Sequence, residues 1–154
     1  MSEYLSKDFT LEEMTFSQTA ARNGIDNSVK PGSTVYLNLK RLCANILQPL
    51  RDSLGIGVTV SSGYRCPELN TLKKGAKKSQ HVVGEAADIQ VKGKTPKEVF
   101  EKILELKLPF DQMILEFNSW IHVSVAPDGK QPRKEMLAAT SENGQTKYSP
   151  YITA

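Results

Sequence analysis

Two histidines and an aspartate are the residues of this chain whose types and spacing best suit metal chemistry. His81 and Asp88 stand seven residues apart in SQHVVGEAADIQV, and His122 lies in WIHVSV. Two imidazoles and one carboxylate make a catalytic zinc set that leaves a fourth position for water. A lone histidine is more often a hydrogen-bonded structural residue, but each of these sits beside a strand carrying an acidic group on a definable face. The interval from His81 to Asp88 is too wide for a one-turn helical pair. It suits a loop that reverses at Gly84 and enters a strand, with small Ala86 and Ala87 allowing close packing.

Water held at such a site needs a base, and Glu116 is the candidate. The hairpin between QMILEF and WIHVSV decides whether it can serve. A two-residue loop, Asn118-Ser119, would pair residues 115 and 122 and turn Glu116 away from His122. A three-residue loop, Asn118 to Trp120, would make Glu116 and His122 direct neighbours with Cβ atoms about 5 Å apart. The chemistry prefers the second. Arg65, in SSGYRCPE, follows a strand that ends at the same cleft. Its guanidinium can bind a substrate carboxylate or stabilise an oxyanion; equally, it can be a loop arginine paired with Glu68 or Asp88.

The elements that must position these residues follow from periodicity. Thr34 to about Leu54 is the best helix, with Val35, Leu39, Leu42, Cys43, Ile46 and Leu50 on one face. Pro49 marks a kink or an early end. VTVSS is a short strand, and residues 63 to 85 read as loop. AADIQV alternates, placing Asp88 on the face opposite Ala87, Ile89 and Val91. A helix capped by Thr95 and started by Pro96 comes next, followed by the strands QMILEF and WIHVSV. The first 33 residues wrap the core, with Thr10 capping a short helix. Residues 127–154 read as a polar, peripheral extension with one short helix around Lys134 to Ala139. The sum is a single α+β domain spanning 1–154, with its core at about 14–126 and a central, mainly antiparallel sheet flanked by helices.

Composition narrows the class. Apolar residues make up 39% and charged residues 24% of 154, ordinary for a globular domain, and no apolar run is long enough to span a membrane. The start, MSEYLSKDFTLEEMTF, lacks the pattern of a secretory signal, so synthesis in the cytoplasm is expected. Cys43 and Cys66 are read as reduced thiols. The net charge of +3 is concentrated in KKGAKK at residues 73–78. No aromatic residues interleave with these lysines, so a nucleic-acid partner is not expected; they are a solvated loop or an attraction for a wall polyanion.

SQHVVGEAAD resembles the SxHxxGxAxD pattern of the zinc D-alanyl-D-alanine carboxypeptidase family, with Ser79, His81, Gly84, Ala86 and Asp88 at all five fixed positions. SSGYR is similar to the family's SGYR element, and WIHVSV to the strand that delivers its second histidine. The resemblance implies a hedgehog-like α+β sheet and one zinc ion on His81, Asp88 and His122. It also implies that Arg65 binds substrate and stabilises the transition state, and that Ser79 hydrogen-bonds substrate or orders the loop. Many members carry the catalytic acid three residues before the second histidine, where this chain has Ser119; the six-residue offset of another branch fits Glu116. The implied activity is cleavage of peptidoglycan stem peptides, by a monomer of the phage endolysin or tail-associated type that reaches the wall through holin-type release or in the particle. L-alanyl-D-glutamate endopeptidase, D-Ala-D-Ala carboxypeptidase and cross-link endopeptidase activities all use this plan. The alternative is a non-catalytic zinc module of the same fold.

Overall fold

The structure, a computed structural model, describes residues 2–152. A small hairpin opens it, β1 (Tyr4–Ser6) against β2 (Phe9–Thr10), followed by helices α1 (Leu11–Thr15) and α2 (Gln18–Arg22). The Thr10 hydroxyl caps α1 by accepting from the Glu13 N–H. The predicted long helix forms as α3 (Thr34–Leu42), a π-helical stretch Cys43–Leu47, and α4 (Gln48–Leu54). Pro49 does not end it. The π turn rebonds the backbone just upstream, Gln48 N–H to Cys43 C=O, so Pro49 falls in the first turn of α4 and its missing N–H costs little. Leu39, Leu42, Cys43, Ile46, Leu47 and Leu50 are all fully buried, so this rod supplies much of the core.

Among the described residues six strands form a mixed sheet: β3 (Val58–Ser62), β4 (Ala86–Val91), β5 (Gln112–Glu116), β6 (Trp120–Ser124), β7 (Glu135–Glu142) and β8 (Gln145–Pro150). Their order is β3-β4-β6-β5-β7-β8, and every neighbouring pair is antiparallel except β5 with β7. Ala87 and Ile89 of β4, Met113 of β5, and Ile121 and Val123 of β6 face the core. Helix α6 (Pro96–Glu105) packs there through Val99, Phe100 and Ile103, and its Thr95–Glu98 capping box is complete. Strand alternation leaves Asp88, His122 and Glu116 on the opposite face, so one apolar sheet surface holds the polar one in place.

Three expectations are corrected. Residues 63–85 are not all loop: α5 (Pro67–Leu72) starts on Pro67, and Gln80–Val83 make one 3-10 turn. Helix α5 buries only Leu69 and Asn70, too short a stripe to show as periodicity. The core does not begin at residue 14, since Leu5, Phe9 and Leu11 are buried in it. The largest change is at the C-terminus. Residues 134–139 are not helical: β7 pairs with β5 and turns into β8 through Asn143-Gly144, both with positive φ. Backbone pairing with β5 overrides the helix-forming residues Glu135, Met136, Leu137 and Ala138. The Asn-Gly pair is the hairpin signal that marks this turn in the sequence.

Asp111 staples that hairpin to the start of β5. It accepts from the Arg133 main-chain N–H at 2.9 Å and from the guanidinium at 3.0 and 2.8 Å, while its carbonyl accepts from the Glu135 N–H at 3.0 Å. Burial opposes the charge on Asp111, but the bonds from Arg133 outweigh it and hold the carboxyl below its usual range. Asp111→Ala is expected to lower unfolding free energy at neutral pH by about 1–3 kcal/mol, with exposed Arg133 keeping the figure modest. Because the folded carboxyl titrates below the unfolded one, this stabilisation is present above the ordinary aspartate range and lost as pH falls through the folded pKa. Urea titrations of wild type and variant should therefore converge in acid.

Candidate metal centre

The centre begins with strand register. Asp88 of β4 and His122 of β6 are direct cross-strand partners, and the Asp88 Oδ1 lies 3.3 Å from His122 Nδ1. His81 arrives from the 3-10 turn. Ser79 caps that turn, its hydroxyl accepting from the His81 N–H at 3.2 Å, and Gly84 closes it with φ of +79°. A methyl at Gly84 would sit 2.8 Å from the Val35 carbonyl oxygen, so both the turn and its seat on α3 require glycine.

His81 is oriented from behind. Its Nδ1–H donates to the Gly63 carbonyl at 2.7 Å, which leaves Nε2 aimed at Asp88 Oδ1, 3.3 Å away. A Cβ at Gly63 would collide with the Met14 carbonyl oxygen, so α1 presses directly on the residue that steers the imidazole. This is the outer support typical of a histidine ligand, here a backbone carbonyl.

The donor set fits a zinc ion. Two donors about 2.05 Å from one ion at the tetrahedral angle lie about 3.3 Å apart. Both imidazole-to-carboxylate contacts have that separation, and one donor atom from each residue falls within 4.8 Å of the others. All three side chains are buried at the floor of the cleft. Burial disfavours the Asp88 charge, but hydrogen bonds from His122 and His81 overcome it and hold the carboxyl well below its usual range.

Around the triad, the structure brings the other predicted residues to one cleft of about 870 Å³. Arg65 pairs with Asp88, Nη2 to Oδ2 at 3.3 Å, and its Nε donates to the Ser62 hydroxyl at 3.0 Å; of the two carboxylates expected, Asp88 and not Glu68 is its partner. Glu116 lies on the His122 face, but neither proposed hairpin register is the observed one. The loop is Phe117 to Ser119, closed by Ser119 N–H to Glu116 C=O at 2.8 Å, with positive φ at Phe117 and Asn118. Trp120 is therefore paired with Glu116, and His122 with Ile114. Glu116 sits diagonally from His122, about 7–8 Å away in strand geometry and within reach of a long side chain. Burial raises its pKa; the charge of Asp88 adds to this, while His122 and Arg65 oppose it.

The sequence reading missed the far wall of the cleft. Pro127, Lys130, Arg133 and Tyr148 line it, all from the C-terminal segment whose polar composition predicts a peripheral extension. Among known proteins, the family model described as Peptidase M15 matches residues 7–124. No curated protein matches the chain.

Calorimetric titration with Zn²⁺ is expected to give one site. Gly63→Ala, by displacing the carbonyl behind His81, should weaken binding by about 10–100-fold in protein whose circular dichroism remains native.

Proposed function

The chain belongs to the peptidase M15 family, and on that premise we propose that it is a zinc-dependent peptidase of peptidoglycan stem peptides, with His81, Asp88 and His122 as the metal ligands. The family is one of zinc enzymes. The observation that carries the reading is the convergence of His81 Nε2 and His122 Nδ1 on one oxygen of Asp88 within an open cleft.

When bound, zinc supplies Lewis acidity, easing ionisation of water and polarising a peptide carbonyl. Glu116 takes the proton of the attacking water at its carboxylate and returns it to the leaving amine. A partly buried carboxylate with a raised pKa is suited to both transfers, because it can give up at the second step what it accepted at the first. Arg65 donates to the substrate carboxylate or to the oxygen that gains charge. Its present bonds to Asp88 and Ser62 keep the guanidinium at the cleft rather than in solvent. Ser79 orders the His81 turn. The cell-wall setting, with delivery by a phage lysis system or particle, is the biological context we infer for this activity.

Purified peptidoglycan should be digested with and without a zinc chelator and the products identified by mass spectrometry. New amino termini at D-glutamate, released D-alanine or opened cross-links, each abolished by the chelator, are expected and would name the bond. Glu116→Gln should lower kcat by about 10²–10⁴-fold while still binding one zinc. No cleavage by protein that holds zinc would replace this reading with a binding module.

A further inference from the structure

Tyr148 lies in β8, on the hairpin that the sequence placed at the periphery, and its side chain lines the cleft. Strand register puts it in one row with the proposed base. Trp120 pairs with Glu116, Glu116 with Ala139, and Ala139 with Tyr148. Directly paired residues share a face, so Trp120 and Tyr148 stand on opposite sides of the carboxylate. Ala139 contributes only a methyl between Glu116 and Tyr148, so no tall side chain divides them.

The phenol is not tied down. Tyr36 and Tyr151 donate their hydroxyls to Glu3 and Glu101, whereas the Tyr148 hydroxyl has no hydrogen-bond partner among the described residues. The strand that carries it is fixed. Its partner β7 is stapled by Asp111 and Arg133, Phe117 N–H donates to the Ala139 carbonyl at 2.9 Å, and Tyr151 stacks on Phe100 with ring centres 4.1 Å apart. A side chain with a free donor on a rigid strand, half exposed and facing the cleft, is arranged to meet a ligand.

We propose that Tyr148 is a substrate-binding residue: its hydroxyl donates a hydrogen bond to the peptide on the side of Glu116 away from the metal ligands, and its ring forms the wall there. The inference rests on the peptidase reading above. It assigns the C-terminal hairpin a share in substrate selection, with Arg65 at the β3–β4 end of the cleft and Tyr148 at the β8 end.

The test is steady-state kinetics on soluble stem peptides with zinc-loaded wild type, Tyr148→Phe and Tyr148→Ala. Position 148 is on an exposed strand, so melting temperature and zinc affinity should match wild type in both. Tyr148→Phe is expected to raise KM about 2–10-fold, the worth of one hydrogen bond, with kcat within about twofold. Tyr148→Ala should raise KM further. Unchanged KM in both variants would overturn the assignment, and so would a wild-type-like Tyr148→Phe beside an impaired Tyr148→Ala, which leaves only the ring. A fall in kcat at constant KM would also overturn it, by placing the phenol in the reaction instead. If wild type cleaves no stem peptide, the peptidase reading fails and takes this proposal with it; active wild type with silent variants removes this proposal alone.

Discussion

The site depends on one register, the pairing of Asp88 with His122 across β4 and β6. Side chains alternate along a strand, so a slip of one residue would carry either group to the apolar face and bury it among Ile89, Ile121 and Val123. The register is held from the other side of the sheet, where these residues pack against the long helix and α6. Core packing thus sets the position of the polar groups, and the polar groups contribute little to choosing it. His81 is added to this fixed pair by a turn whose dimensions are set by Gly84, and its ring angle by Gly63.

The polar face works as a series of rows. One row runs from Ser62 through Asp88 and His122 to Ile114, and the next from Trp120 through Glu116 and Ala139 to Tyr148. The first row brings two of the three candidate metal donors, Asp88 and His122, beside the hydroxyl that restrains Arg65, and His81 joins them from its turn. The second sets Glu116, the proposed base, between Trp120 and Ala139, with Tyr148 one strand beyond. Those two ladder partners displace water from Glu116 without offering it a positive partner.

Much of the centre was legible in the sequence because its signals are local. SQHVVGEAAD contains a cap, a turn glycine and an alternating strand within ten residues, and each feature has a short-range physical meaning. What was illegible depends on pairing between distant segments. Nothing near Glu116 says whether its hairpin loop starts at Phe117 or Asn118, because two consecutive non-glycine residues with positive φ run against expectation. Helix-favouring Glu135 to Ala138 form a strand because the open edge of β5 is available to them. The Asn143-Gly144 turn was the one local sign of that hairpin, and its polar flanks concealed it.

The hairpin divides the protein into parts that can be altered independently. Every residue of β8 is exposed, and its ladder partner is β7 alone, so none of its side chains helps hold Asp88, His122 or the turn bearing His81. Residues 145–150 can accordingly be rewritten without moving a metal donor or opening the core. For protein engineering, that strand is a handle on the proposed substrate wall of the cleft, mechanically separate from the residues gathered around Asp88.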